Sequence, residues 1–458
     1  MAAGNPRLPN FILLDAATRI SDLRNGTATA WALTTAGLTI QVSLVVAAPP
    51  RLSHFCVCCP GRDATAFADA PRVVCSTGDH ALIRAGFTTG DSPQHFIYRA
   101  RGPDGRPSLD LIPDLIDYYS RQEILSLPLG FVSSRDHLVI AALSYGPTDL
   151  QYYLHTLSSE PRSTWSKKLL LVELPHGLSK KPFVIDHSKV IALGGGLLGW
   201  IDLWEGILIC DVLDPGMAPL RLVPMPKLLP SNRQLCDQQS LARAVRDVTF
   251  SRGYIRCVEL EELVELRVRT VPPLPDPSDM DELQDSECTI DPPQEDGEEY
   301  VTVGWRLITW YRALTWNCWR KGIMVHSDEL GTVSLPQLGG GGACGLKLPL
   351  KDLRVAAPIL CSDGDAVYLA SALHERDPPA WIVAVDTRRK SVEELMPYSA
   401  KGLYLYDPTY IPYVLTEYLN DKADGAQVQT QNACHHTPRN FDGSEKKRQR
   451  LSHTEYEV

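Results

Sequence analysis

Short apolar runs separated by turn-forming residues recur along most of the chain. The clearest example lies at 194–214, where two runs rich in β-branched and aromatic residues flank Trp204-Glu205-Gly206. A glycine at the end of a three-residue loop is typical of a turn that closes through a left-handed residue, so the pattern predicts a β-hairpin. Neither run alternates with polar residues, which predicts that both faces of the hairpin are covered.

A unit of turn, strand, exposed loop and strand also repeats along the chain. Residues 75–79 and 361–365 begin two similar units, and comparable starts near 75, 133, 190, 247, 304 and 361 are 57 or 58 residues apart. Repetition of a small antiparallel unit is the sequence signature of a β-propeller. The sequence therefore predicts an all-β, propeller-like fold of about six blades over residues 8–420. The alternative is that the spacing arises by chance in a strand-rich chain. The interval 247–304 supports the repeat least, because it contains an acidic segment that leaves few residues for strands.

Strands from residues 8–47 are expected to close the ring against C-terminal strands, because closure removes free sheet edges. Residues 112–124 could form a short helix.

The net charge of −10 comes almost entirely from one segment. Residues 271–299 contain eleven Asp and Glu and no Lys or Arg, so the rest of the chain is close to neutral. This proline-rich, acidic composition predicts a disordered insertion. The acidic balance also argues against nucleic acid as a general partner, since phosphate binding needs a basic surface.

The C-terminal residues 421–458 read as a disordered polar tail. Within it, Lys446, Lys447, Arg448 and Arg450 match short nuclear-import signals, with a simple solvated tail as the alternative. We recognise neither a secretory signal nor an apolar run long enough for a membrane span. The cysteines lie mostly in apolar runs, which favours reduced thiols in the core over disulfides. The expected location is therefore the cytoplasm, the nucleus or both, with no membrane partner.

Three motifs carry candidate binding chemistry, and each has a structural alternative that we favour. The spacing Gly194-x-Gly196-x-x-Gly199 matches a dinucleotide fingerprint, but its glycines lead into a strand and a turn instead of a helix. The glycine run 339–342 lacks the ending of a phosphate loop. The cysteines of 56–59, with His54, lack the second cysteine pair of a zinc site, so we expect a buried strand end. No cofactor is therefore predicted.

Asp202 and Asp211 are the only carboxylates that we consider for acid–base catalysis. Two carboxylates on neighbouring strands can differ in pKa and act as acid and base. However, an aspartate beside a tight turn commonly accepts backbone amide hydrogen bonds. Because nothing else completes a catalytic constellation, we expect both to be structural and predict no catalytic residue.

The hairpin resembles the signature of a plant family of unknown function, domain-of-unknown-function family 1618, which is expanded in grasses. Stretches at 11–15, 55–61, 71–75 and 363–386 are similar to it as well, so the resemblance covers about 10–420. The resemblance implies no catalytic residue, cofactor or substrate. The residues that carry the signature are Gly199, Trp200, Asp202, Leu203, Trp204, Gly206, Cys210 and Asp211.

These observations favour a non-catalytic interaction scaffold that binds unidentified protein partners through loops between blades. The acidic segment 271–299 could attract a basic partner. Two alternatives stay open: an enzyme of hydrolase type that uses a central cavity, and a substrate-recognition subunit of a ubiquitin ligase with a separate adaptor. Trp200 and Trp204 are expected to pack between blades.

Overall fold

The computed structural model describes residues 12–413 with several gaps. The gaps are residues 25, 27, 90–92, 103, 113–127, 134–137, 160–162, 176–188, 215–218, 238–240, 269–297, 337–345, 362–363, 375–376, 378–379 and 399–409. The predicted short helix, the greater part of the acidic segment and the polar tail therefore lie outside the described residues.

Within the described residues, the strands form six successive sets along the chain. The first set holds β1 (Ile12–Asp15), β2 (Arg19–Ile20), β3 (Thr29–Leu33), β4 (Thr39–Val45) and β5 (Leu52–Cys58). The second holds β6 (Arg72–Thr77), β7 (His80–Ala85), β8 (Gln94–Arg99) and β9 (Ser108–Leu111). The third holds β10 (Leu129–Ser133), β11 (Leu138–Tyr145), β12 (Gln151–Ser158) and β13 (Ser166–Glu173).

The remaining sets follow the same order. The fourth holds β14 (Lys189–Gly194), β15 (Leu197–Asp202), β16 (Gly206–Asp211) and β17 (Leu220–Pro224). The fifth holds β18 (Arg246–Ser251), β19 (Tyr254–Val268), β20 (Glu298–Ala313) and β21 (Arg320–His326). A two-stranded hairpin of β22 (Thr332–Ser334) and β23 (Lys347–Pro349) precedes the sixth set, which holds β24 (Arg354–Leu360), β25 (Ala366–Ala372), β26 (Trp381–Asp386) and β27 (Ser391–Pro397).

Helices are short and few in the described part of the chain. The α-helix, α1, spans Pro230–Asp237 between the fourth and fifth sets. Single 3-10 turns lie at Ala64–Ala66, Ala242–Ala244, Ser327–Leu330 and Leu350–Asp352.

The sets form a closed ring. From the second set to the sixth, each set is an antiparallel meander, and the first strands β6, β10, β14, β18 and β24 contact one another in that order. The last strand, β28 (Tyr410–Tyr413), pairs antiparallel with β1, and the Val73 N–H donates to the Ala16 carbonyl at 2.8 Å to join the first set to the second. This arrangement confirms the all-β, propeller-like prediction and the closure by N-terminal and C-terminal strands.

Apolar residues are buried between neighbouring sets at every step around this ring. Phe55 packs with Phe96 between the first and second sets, and Leu82 with Phe131 between the second and third. Separate clusters follow between each later pair, and Leu13 of β1 completes the circle by packing against β24 and its neighbours. One small antiparallel sheet cannot bury both of its faces by itself. The apolar clusters between neighbouring sets therefore stabilise the ring.

The repeat predicted from the sequence is correct in kind, but its start points are not equivalent. The starts near 75, 133 and 361 mark turns between the first and second strands of their sets, whereas 190 and 247 lie near the beginning of a first strand. The start near 304 is wrong, because it lies inside β20, the third strand of the fifth set. The 57-residue step fails there because β19 and β20 are unusually long and a further segment separates them.

Candidate functional site

The predicted hairpin is formed by β15 and β16. Asp202 pairs with Gly206, so the loop consists of residues 203–205 and lies one residue earlier than predicted. The reason given for Gly206 is wrong as well, since Gly206 does not have a positive φ. Glycine is needed there because a Cβ atom would lie 2.8 Å from both Leu222 Cδ1 and the Val223 carbonyl oxygen of β17.

The glycine run before the hairpin forms a turn. Gly195 and Gly196 connect β14 to β15 with φ of 60° and 89°, which fits a two-residue turn with two left-handed positions. The element that follows is the strand β15, so the pattern lacks the helix N-terminus on which a dinucleotide phosphate would bind. Residues 339–342 lie outside the described residues.

Asp202 and Asp211 each fix a turn. Asp202 Oδ1 accepts hydrogen bonds from the backbone N–H groups of Trp204 at 2.8 Å and Glu205 at 3.1 Å. Asp211 Oδ1 accepts from Leu213 at 3.0 Å and Asp214 at 3.2 Å. The two carboxylates lie at opposite ends of one hairpin, since Asp211 pairs with Leu197 and Asp202 with Gly206, so they do not form a carboxylate pair.

The two signature tryptophans differ in burial. Trp200 is fully buried between the third and fourth sets, and its Nε1–H donates to the Pro128 carbonyl at 3.2 Å. Trp204 lies in the turn and is only half-buried, so its predicted packing between sets stays a prediction. Leu203, its neighbour, is 1 % exposed and packs between the fourth and fifth sets.

The other signature residues are packing positions. Gly199 faces Ile207, whose Cγ2 would lie 3.0 Å from an added Cβ atom. Cys210 is buried, and burial together with the nearby Asp211 carboxylate raises the pKa of its thiol to about 12. The signature therefore describes a well-packed hairpin and offers no exposed reactive group.

Cys56, Cys58 and Cys59 are buried at the end of β5, and burial raises the pKa of each thiol. No group of three or more His, Cys, Asp or Glu side chains among the described residues is arranged to hold a metal ion. In that same part of the chain, no helix has the length and apolar character needed to cross a membrane.

A buried ionic network, which the sequence analysis missed, ties the hairpin turn to the fifth set. Arg246 and Glu259 side chains are both fully buried, and Arg246 Nη2 donates to Glu259 Oε2 at 2.8 Å. Arg246 Nη1 also donates to the Leu203 carbonyl at 3.1 Å. On its other side, Glu259 Oε1 accepts from the Leu229 N–H and from Asn232 Nδ2, both at 2.9 Å, which docks α1 onto β19.

The fifth set carries a projecting hairpin, which we call the arm: residues 261–268 of β19 and 298–305 of β20. The pairing of β18 with β19 ends at Glu259, and that of β21 with β20 ends at Arg306. The arm strands therefore continue beyond both neighbouring strands and, within the described residues, pair with each other. Their last pair includes Glu298, so the strand begins inside the segment that was predicted to be disordered.

One face of the arm is apolar and exposed. Val264 pairs with Thr302, and Leu266 pairs with Tyr300, so all four side chains lie on the same face. The exposed fractions are 46 % for Val264, 47 % for Leu266 and 72 % for Tyr300. Apolar and charged residues alternate over 258–261 and again over 264–268, and this is the sequence signal that could have identified the strand.

A cleft of about 380 Å³ lies at the base of the arm. The arm supplies one wall, and the 3-10 turn Leu350–Asp352 with the start of β24 supplies another. The cleft is lined by Glu262, Thr302, Gly304, Trp305, Lys351, Asp352, Leu353, Arg354, Val355, Leu373 and His374.

A break in the β19–β20 pairing shapes this cleft. The register shifts between Leu263 and Val264, and Gly304 beside the bulge has a φ of 154°. A Cβ atom on Gly304 would lie 2.7 Å from Ser327 Oγ, which instead accepts the Trp305 N–H at 3.1 Å. A bulge of this kind bends the strand that carries it, and here it lies beside the cleft at the base of the arm.

The charges at the cleft are suited to binding. Arg354 Nη1 lies 3.8 Å from Glu262 Oε1, and Lys351 Nζ lies 3.4 Å from Asp328 Oδ1. Trp305 and Leu353 are buried beneath these charged groups. The lining combines the charged side chains of Glu262, Lys351, Asp352 and Arg354 with an apolar floor.

The four residues of the predicted import signal, Lys446, Lys447, Arg448 and Arg450, lie outside the described residues.

Fold and site together define an all-β, propeller-like ring with a projecting arm. Residues 200–368 match the model of a protein family of unknown function, DUF1618. The match begins at the signature hairpin and extends into β25, so it confirms the predicted resemblance over this part of the chain.

No curated protein matches the sequence. Two solved structures are similar in outline: the Bombyx mori GH32 beta-fructofuranosidase BmSUC1, and a variant of it in complex with sucrose. The first has a TM-score of 0.26 and 11 % identity, and the second 0.24 and 10 %; each comparison covers 89 % of this chain and 91 % of the other. Similarity this low carries no argument about fold or activity.

Proposed function

We propose that this protein is a non-catalytic interaction scaffold whose main partner-binding surface is the arm. The observation that carries the proposal is the exposed apolar face formed by Val264, Leu266 and Tyr300. Single exposed apolar side chains are ordinary on protein surfaces, but a contiguous patch marks an interaction site. A strand pair that projects beyond its sheet also offers free backbone groups to a partner.

The charge next to the arm supports a partner with basic residues. The arm strands are joined through the segment that contains residues 271–299, which carries a net charge of −11. A concentration of one sign accelerates association with an oppositely charged surface and makes it dependent on salt. The proposed partner therefore presents apolar side chains beside lysine or arginine.

The cleft extends this surface. Glu262 lies on the same face of β19 as Val264 and Leu266, closer to the base of the arm. Arg354, at the start of β24, lies next to Glu262 in the cleft. Interfaces commonly combine an apolar centre with a polar rim, and the arm and cleft would supply these two parts.

The placement of Asp202 and Asp211 supports a binding role over the enzyme alternative. Each carboxylate accepts two backbone hydrogen bonds, and the two groups lie at opposite ends of the hairpin. We propose that the scaffold acts in the cytoplasm or the nucleus, which would give the basic residues near 448 a role in import.

The test is co-purification with a matched control. Val264, Leu266 and Tyr300 are changed together to serine in the tagged full-length chain. In the control, Leu169 and Leu171 of β13, exposed by 44 % and 62 %, are changed to serine. Partners that the control retains and the arm variant loses would support the proposal, and identical partner sets for both variants would refute it.

A further inference from the structure

Three aromatic side chains form a patch at the end of the fifth set opposite the arm. Tyr254 and Trp316 have ring centroids 5.6 Å apart, Tyr254 and Tyr311 are 6.0 Å apart, and Tyr311 and Trp316 are 6.1 Å apart. The Arg320 guanidinium lies over the Trp316 ring, 4.3 Å from its centroid. We call these four residues the aromatic patch.

The local backbone holds this patch at the surface. Arg252 and Gly253, with φ of 52° and 81°, form the tight turn between β18 and β19, and Tyr254 begins β19 directly after it. Tyr311 of β20 lies opposite Arg320 of β21 in the sheet, and Trp316 lies in the connection between those strands. Tyr254 is 38 % exposed, whereas Tyr311 and Trp316 are half-buried, so the rings are held firmly yet remain accessible.

Rings this close to one another touch directly, so the patch is a platform and not a cage around a cation. Tyrosine, tryptophan and arginine are the residues that contribute most binding energy at protein interfaces. Exposed aromatic rings also bind extended proline-containing segments, which need only a shallow surface.

The charge of the patch is opposite to that of the whole protein. Arg320 is exposed and, among the described residues, is not within ion-pair distance of any carboxylate. Arg252, in the turn directly before β19, is exposed as well. Outside residues 271–299 the chain is close to neutral overall, so these exposed cations give the patch a local positive charge, which favours an acidic ligand.

We infer that the aromatic patch is a second docking site, which binds an acidic, proline-containing peptide segment of a protein partner. A proline or other apolar side chain stacks on Tyr254 and Trp316, and a carboxylate of the same segment pairs with Arg320. This site is separate from the arm, which lies at the other end of β19 and takes a basic partner.

The test uses a fluorescently labelled peptide with the sequence of residues 271–285, which contains prolines and acids but no basic residue. Its Kd is measured by anisotropy against the full-length chain and three variants: Arg320→Glu, Arg320→Gln and Arg106→Glu. Arg106 is exposed in the second set and serves as the matched charge-reversal control. The Kd values are compared only as ratios between variants. The chain's own residues 271–285 could compete with the peptide, and every variant carries them equally.

We expect Arg320→Glu to raise the Kd about tenfold and Arg320→Gln to raise it by less, with Arg106→Glu equal to the unmodified chain. A peptide with asparagine and glutamine in place of its acids should bind at least about tenfold more weakly. Equal Kd values for Arg320→Glu and Arg106→Glu would overturn the inference. Binding of a labelled single-stranded oligonucleotide, but not of the peptide, would also overturn it and would indicate a nucleic-acid site.

Discussion

Removal of either member of the buried Arg246–Glu259 pair should destabilise the ring far more than removal of a surface pair. Both side chains are fully buried, and Arg246 reaches the Leu203 carbonyl of the signature turn. Replacement of one partner leaves the other as a buried charge without its counterion, which costs about 3–5 kcal/mol. We therefore expect Arg246→Met and Glu259→Leu each to lower the free energy of unfolding by about that amount.

The double variant separates coupling from local damage. If the two side chains act as a unit, the cost of Arg246→Met and Glu259→Leu together should be at least about 2 kcal/mol less than the sum of the single costs. The exposed pair Lys390–Glu329, at 2.7 Å, is the control, and Lys390→Met should cost less than about 1 kcal/mol.

The assay is urea unfolding of the full-length chain, followed by tryptophan fluorescence. Additive costs within about 0.5 kcal/mol would refute the reasoning, because independent sites behave in that way. A single-variant cost equal to that of Lys390→Met would refute the burial of the pair itself.

Three further predictions concern stability. Trp200→Ala should lower the free energy of unfolding by about 3–5 kcal/mol because the ring is fully buried. Trp204→Ala should lower it clearly less because that ring is half-buried. Urea unfolding compares the two variants, and equal losses would contradict this difference in burial. Gly206→Ala should lower the stability of the fold by about 1–3 kcal/mol, because the added Cβ atom would clash with β17. Gly195→Ala should cost about 1 kcal/mol through backbone strain alone, because Gly195 has open space around it but a φ of 60°. Thermal unfolding compares the two variants, and a larger loss for Gly195→Ala would contradict the clash. Burial and a nearby lysine lower the pKa of His155 to about 4 from 6.5 in the unfolded chain, so its contribution to stability is present above pH 6.5 and is lost as the pH falls toward 4. His155→Gln should therefore reduce the fall in unfolding free energy over that range by at most about 3 kcal/mol, and an unchanged pH profile would contradict the assigned pKa.

Much of the fold could be predicted because propeller-like rings repeat a simple local pattern. The hairpin around Gly206 was found from apolar runs and a turn signal, and residues 75–79 and 361–365 do occupy equivalent turns of their sets. The exact role of Gly206 could not be predicted, because the approach of Leu222 depends on the neighbouring strand. The partial burial of Trp204 could not be predicted for a similar reason, because burial within a turn depends on the neighbouring sets: Leu203 in the same turn is 1 % exposed.

The binding surfaces could not be found from single motifs. The arm was hidden because the acidic segment interrupts it, although the alternation leading to Leu266 was visible in the sequence. Tyr254 is far in the chain from Tyr311 and Trp316 and comes together with them only through the pairing of β19 with β20. The Arg246–Glu259 pair was invisible for the same reason, since a charged residue in a strand reads as exposed until its partner is known.

Hydrogen–deuterium exchange with and without a co-purified partner tests the central claim most directly. The proposal predicts that backbone amides of the arm, at 261–268 and 298–305, exchange more slowly when the partner is bound, whereas amides of β13 around Leu169 do not change. Protection confined to other surfaces, with the arm exchanging as fast as in the protein alone, would contradict the account.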